Sequence, residues 1–268
     1  MNYTEHLVDV GDVKINVAEF ENNGPPIIFI HGITSVWQRW SAILDYFTPE
    51  FHCLAIDLRG HGKSGHVHGK YHRDQYASDV VKLARDYIGK PVYLVGSSLG
   101  ATTAVTATSL MPDDVIAAVY SDPPLFNHLR PGDHAGDRFN SRVEALKKAK
   151  TVDDLVPMAR PQVQSEEAAI ERATGWLQMD PNLLEMTANG SAVVGWDVEG
   201  QLSTATSRAL LMQADPSAGG VLDDDEAEKA MGLLPNARLK KWPGVGHTIH
   251  DEQPEDFSSS VKEFFSEE

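Results

Sequence analysis

The chain has 268 residues, 41 % of them hydrophobic, and a formal charge of −16 from 23 Lys and Arg against 39 Asp and Glu. That length suits one large domain or two small ones, and the acidity disfavours nucleic acid and anionic membrane surfaces as partners, because both repel it. The single cysteine, Cys53, excludes an intrachain disulfide framework and a cysteine-based zinc site. No run approaches the roughly 18 apolar residues of a spanning helix, and Met1–His6 lacks the basic and apolar blocks of a signal peptide. A soluble cytoplasmic protein, monomer or homodimer, is therefore expected, with a small molecule as partner, no nucleic acid and no membrane.

Residues 4–10 and 12–20 alternate around Gly11-Asp12 and predict a hairpin. After Gly24-Pro25-Pro26 comes Ile27-Ile28-Phe29-Ile30, apolar at every position, as in a parallel strand covered on both faces. Similar runs recur at 53–56, 92–95, 115–120 and 209–212, with helix-like stretches at 36–47, 74–88 and 98–110 between the early ones. This alternation predicts an α/β fold, a mostly parallel central sheet with helices on both faces. From Pro123 to about Ser207 no strand is convincing, while 138–149, 153–160 and 165–179 read as helices. A structureless loop of that length is improbable, so 123–206 is expected to be a helical cap inserted into a core of 1–122 and 207–268. A closing helix is predicted from Asp251, as its N-cap, to Phe265.

The sharpest chemical signal is Gly96-Ser97-Ser98-Leu99-Gly100, a G-x-S-x-G pentapeptide between the strand 92–95 and the helix that follows. A nucleophile must project from a sharp turn, and the positions two before and two after it must be small. Ser98 is centred between the glycines; Ser97 is not. A serine hydroxyl needs a base, and Trp242-Pro243-Gly244-Val245-Gly246-His247 supplies one late in the chain. His250, three residues on at a helix start, reads as packing or surface. The oxyanion of acyl transfer requires backbone N–H donors. Leu99, just after the nucleophile, offers one and Ile33, in the loop His31-Gly32-Ile33-Thr34, the other. His31 itself reads as a hydrogen-bonding residue of that loop.

His31-Gly32, Asp57-Leu58-Arg59-Gly60-His61-Gly62-Lys63-Ser64, Gly96 to Gly100 and Gly246-His247 resemble, in order, the marks of the α/β-hydrolase family. The resemblance covers about 1–122 and 207–268. It implies a serine hydrolase with a Ser98, His247 and acid triad, acting on an ester or lactone of a small, fairly apolar molecule. It implies no cofactor and no metal. Family members with an Asp nucleophile, the haloalkane dehalogenases and epoxide hydrolases, are disfavoured by Ser98. Cofactor-free dioxygenases, carbon–carbon bond hydrolases and hydrolase-like receptors stay open. The family places its acid after either of two strands. At the later one, Ala214-Asp215-Pro216-Ser217 sets Ser217 where the acid belongs, and Asp215 reads as the start of a turn. At the earlier one, Asp122 follows the strand 115–121 at the carboxyl edge, where the active groups of open α/β sheets gather. Asp122 is favoured and Asp215 is the alternative. Asp223, Asp224 and Asp225 read as a helix N-terminus.

Other patterns carry less. Gly60-His61-Gly62-Lys63-Ser64-Gly65 fits a dinucleotide fingerprint, but no helix follows to receive a pyrophosphate. His61, His66, His68 and His72 have no carboxylate or cysteine at ligand spacing. Trp37 and Trp176 are candidate substrate-binding residues, although Trp37 and Trp40 at i, i+3 also suit a helix core.

Overall fold

The apolar runs become the centre of one sheet. The computed structural model describes residues 2–126 and 135–267 and contains strands β1 (Thr4–Asp9), β2 (Lys14–Phe20), β3 (Pro26–Ile30), β4 (His52–Ile56), β5 (Val92–Ser97), β6 (Val115–Ser121), β7 (Arg208–Ala214) and β8 (Ala237–Trp242). Their order is β1-β2-β4-β3-β5-β6-β7-β8. Strands β3 to β8 run parallel, while β2 joins β4 antiparallel and the β1–β2 hairpin forms one edge. All five residues of β3 are buried, because alternate side chains enter different cores. Ile28 and Ile30 belong to one cluster and Ile27 and Phe29 to the other.

Helices α1 (Ser41–Phe47), α2 (Arg73–Lys82) and α3 (Leu99–Leu110) follow β3, β4 and β5. Residues of α1 share the Phe29 core, while α2 and α3 cover the Ile28 face. Ten residues of α3 are buried; with polar positions filled by hydroxyls that bond back to their own helix, such as Thr103 to Leu99, it can lie covered on all sides.

No strand occurs among the described residues between β6 and β7. They form α4 (Ala135–Lys148), α5 (Val156–Ala159), α6 (Glu166–Leu177), α7 (Pro181–Ala188) and α8 (Val198–Thr204). Val143, Leu155, Ala169, Trp176 and Leu183 join the core that contains α2 and α3. Helix α8 packs on α3 and on α9 (Asp224–Leu233). Part of the expected cap, residues 127–134, lies outside the described residues.

Two expectations need correction. The stretch 36–47 is a 3-10 turn, Trp37–Trp40, followed by α1. Asp251 does not cap the closing helix. It lies inside a short α10 (Ile249–Glu252), and Gln253 breaks the chain at φ −135° and ψ 61° before α11 (Pro254–Ser266) starts on Pro254. Proline has no N–H and a fixed φ, so it opens helices but cannot continue them.

Candidate active site

The strand order reverses beside β3: the chain goes from β3 to β4 on one side and later returns as β5 on the other. Loops that leave the carboxyl ends of β3 and β5 diverge there and open a crevice. Ser98 stands in it, with φ 55° and ψ −115°, between the last residue of β5 and the first of α3. A non-glycine residue with that backbone is held in place at a cost of about 1–3 kcal/mol. The neighbours do the holding. A Cβ on Gly96 would lie 2.2 Å from the Gly100 carbonyl oxygen, and a Cβ on Gly100 would lie 1.9 Å from that of Ile30. Only glycine allows β5, α3 and β3 to close this tightly, which is the physical content of the pentapeptide. The Ser98 N–H donates to the Ser121 carbonyl at 3.0 Å, so the turn is tied to the end of β6.

Asp122 follows directly. Its φ is 45°, its N–H donates to the Met212 carbonyl at 2.8 Å, and its carboxylate is fully buried. Oδ1 accepts from the N–H groups of Ala214 and Leu222 at 3.2 Å each, and Oδ2 accepts from Val221 N–H at 2.8 Å. Oδ2 also stands 2.6 Å from His247 Nδ1. Three backbone N–H groups and the histidine ring share the two carboxylate oxygens, and a carboxylate acceptor makes Nδ1 the donor nitrogen of the ring. Nε2 is then left as a base, and the ring is part-exposed to the cavity.

Asp215 is elsewhere. Its carboxylate accepts from Ser217 N–H at 2.8 Å and Gly244 N–H at 2.7 Å, and these bonds hold it below the usual aspartate range, the Ser217 hydroxyl first among the causes. It starts the 3-10 turn Pro216–Ala218 and anchors the loop that carries His247. Asp223 caps α9 by accepting from Glu226 N–H.

The loop after β3 passes beside the serine. A Cβ on Gly32 would be 3.3 Å from Ser98 Cβ and 3.9 Å from its Oγ. Within this loop the Gly32 carbonyl bonds His31 Nδ1 at 2.7 Å and Ser35 N–H at 3.2 Å, while His31 Nε2 accepts from Leu58 N–H at 3.0 Å. His31 is therefore a neutral Nδ1–H tautomer, and burial pushes its pKa well below the ordinary value. Because a trans peptide sets N–H opposite to C=O, fixing the Gly32 carbonyl also aims the Ile33 N–H. Neither that N–H nor the Leu99 N–H has an acceptor among the described residues.

A cavity of about 1180 Å³ lies over this edge, lined by Ser98, His247 and Ile33 from the core and by helices of the inserted region. Neither tryptophan is among its lining residues. Trp37 is buried against Tyr3 and Phe20, and its Nε1 donates to Glu5 at 3.0 Å. Its ring belongs to the core beneath β2, so it is withdrawn as a substrate contact. Trp176 is also buried; its Nε1 donates to the Thr34 carbonyl at 3.1 Å, and Arg142 stacks on its ring at 4.2 Å. It braces the loop after β3 from α6 and does not line the cavity. The lining also carries Arg39, Arg73, Arg142 and Arg172. His250 also lines the cavity; it stacks on Trp40 at 4.4 Å, and burial takes its pKa down to about 4.

Residues 27–259 match the alpha/beta hydrolase family. The chain belongs to it. Among curated relatives of this alpha/beta hydrolase, the 2-(acetamidomethylene)succinate hydrolase of Mesorhizobium japonicum is 26 % identical over 98 % of the chain and 95 % of its own length. A crystal structure of E-2-(acetamidomethylene)succinate hydrolase superposes with a TM-score of 0.82 at 24 % identity, covering 99 % of this chain and 100 % of that one. An N-formylmaleamic acid deformylase from Pseudomonas putida S16 superposes with a TM-score of 0.81 at 21 % identity, over 97 % and 100 %. The chain is an enzyme of the alpha/beta-hydrolase class.

Within this alpha/beta hydrolase, the structure brings Ser98, Asp122, His247, Ile33 and Leu99 to one edge. It leaves Trp37, Trp176 and Asp215 outside the cavity. The Gly60–Gly65 loop wraps Asp57, which accepts from the N–H groups of Trp37 and Lys63 and from Asn16. No group of three or more potential metal ligands occurs among the described residues, and none of their helices is long and apolar enough to cross a membrane. Sequence reasoning missed the arginines. They come from separate parts of the chain, and no local pattern announces that they meet.

Proposed function

We propose that the protein hydrolyses an acyl bond of a small molecule, an ester, lactone or amide, through Ser98. The observation that supports this most is the 2.6 Å bond between Asp122 and His247 Nδ1, which leaves Nε2 as the base in the cavity that Ser98 also lines. Ser98 Oγ attacks the carbonyl carbon and its proton passes to His247 Nε2. The oxyanion is held by the Ile33 and Leu99 N–H groups. The tetrahedral species expels the alcohol or amine, which takes the proton from Nε2. Water then attacks the acyl-serine carbon, gives its proton to Nε2, and the serine is regenerated as the acid departs. Asp122 keeps the ring oriented and stabilises its charged form.

An amide-type bond has particular support, because the Mesorhizobium relative is named for an acetamido-substituted succinate and aligns over 98 % of the chain. Incubation with a fluorophosphonate, followed by peptide mass mapping, tests the nucleophile. The expected adduct is on Ser98; an unlabelled Ser98 in an enzyme that turns over p-nitrophenyl acetate overturns the mechanism. An oxygen electrode tests the dioxygenase alternative, and oxygen consumption would replace the hydrolytic reading.

A further inference from the structure

Four arginines of this acidic chain line the cavity that Ser98 also lines. Three of its four arginines already have company. Arg39 pairs with Asp251. Arg142 and Arg172 both donate to Gln162 Oε1, at 3.4 and 3.2 Å. Arg73 differs. It is 5 % exposed, yet its Nε and Nη1 are buried without an acceptor among the described residues. Its guanidinium lies 5.9 Å from the Trp196 ring centre, a soft contact that orients the group and satisfies no N–H.

Two physical costs converge on this residue. A buried cation without a counter-charge is unfavourable. It stands on the first residue of α2, where the helix dipole favours anions and disfavours cations. The first cost shows in its pKa, which desolvation lowers to about 10; it is still a cation at neutral pH. Arg73 lines the cavity, and a planar fork of donors with nothing to accept from them matches a carboxylate better than any neutral group.

We propose that Arg73 is a specificity-determining residue that binds a free carboxylate carried by the substrate, so that the enzyme acts on acyl derivatives of acids rather than on fully neutral esters or amides. This rests on the hydrolytic reading above. The guanidinium gains a counter-ion when substrate enters, and binding of that anion orients the acyl carbon toward Ser98. The acidic exterior would slow the approach of an anion; the arginine-lined cavity reverses that bias locally.

The test uses mono-p-nitrophenyl esters of succinic, glutaric, adipic and suberic acids, each beside its methyl ester, with wild-type, Arg73→Gln and Arg73→Lys enzymes. Wild type should favour at least one free acid over its methyl ester by about 10-fold or more in kcat/KM. Arg73→Gln should abolish that preference, mainly through KM, and Arg73→Lys should restore part of it. Succinate or glutarate should raise the Tm of wild type and leave that of Arg73→Gln unmoved. The empty Arg73→Gln protein should melt no lower than wild type, because a buried unpaired charge has gone. Equal rates on acid and methyl ester throughout the series, or a preference that survives in Arg73→Gln, would overturn the proposal. Fluorophosphonate labelling of Ser98 in each variant separates the causes: labelled enzyme without acid preference refutes Arg73 alone, whereas loss of labelling from active wild type refutes the serine mechanism beneath it.

Discussion

The floor and the roof of the cavity are built on different principles. On the floor, Ser98, Asp122 and the Ile33 and Leu99 N–H groups occupy backbone positions fixed by strands β3, β5 and β6, and His247 hangs from Asp122. Ser98 and Asp122 are tied by main-chain bonds, to Ser121 and Met212. The roof consists of inserted helices joined by side chains. Trp176 reaches Thr34, Tyr71 donates to Asp180 at 2.5 Å, and Gln162 links two arginines. A reaction centre demands positions accurate to about half an ångström, which a sheet supplies. Substrate choice needs only the right groups within reach, and exchangeable helices supply that.

This contrast can be broken at several points. Ser98→Ala should have the largest effect, a loss approaching about 10⁶-fold in kcat on an activated ester, with the circular dichroism spectrum of wild type; a folded variant that kept most activity would move the chemistry off the floor. Asp122→Asn comes next. With the wrong imidazole tautomer, kcat should fall by about 10⁴-fold, and a loss under about tenfold would hand the acid's role to another group.

The third test is pH. His250 is buried and its folded pKa is about 4 against an ordinary 6.5. Between those values the unfolded chain binds a proton that the native chain refuses. Stability is therefore complete above about 6.5 and falls as pH drops toward 4, by about 3 kcal/mol in all for this residue. His31 and His61, both lowered first by burial, act in the same direction beneath the floor. Denaturant titrations between these limits should show a shallower acid loss in His250→Gln than in wild type; parallel curves would refute the assignment.

Smaller effects belong to the supports. Trp176→Phe keeps an aromatic ring but deletes the bond to the Thr34 carbonyl. A net loss of about 1 kcal/mol should appear as roughly a fivefold drop in kcat/KM, and no change would show that roof and floor are uncoupled. Asp215→Asn should change kcat less than about threefold while lowering the Tm, since it supports a turn and the base of a loop. A collapse of activity there would make it the catalytic acid.

The floor was legible because its parts are local. Continuous apolar runs marked the parallel strands, the glycines around Ser98 marked a turn too tight for side chains, and Ser217 in the acid's usual place pointed back to Asp122. What escaped depends on distant contacts or on boundaries. Trp37 and Trp40 carried a core spacing, but the burial of Trp37 is decided by Tyr3 and Phe20 from the N-terminal segment. Asp180-Pro181 and Asp197 cap α7 and α8 with ordinary start signals that stood outside any strong periodicity. Pro254 split the closing helix where an apolar pattern ran on. Arg73, Arg142 and Arg172 lie on α2, α4 and α6, so their meeting is a property of the fold and not of any stretch of sequence.

The turn at Ser98 also has an evolutionary consequence. Neither neighbouring glycine can accept even a methyl group without striking the carbonyl of Gly100 or Ile30, whereas the central side chain projects into open space. The backbone therefore behaves as a socket and the side chain as an interchangeable fitting. Replacement of this one residue would present a thiol or a carboxylate to the same cavity at the same spot. New reactivity is one mutation away from this scaffold, while alteration of either flank dismantles the mount itself.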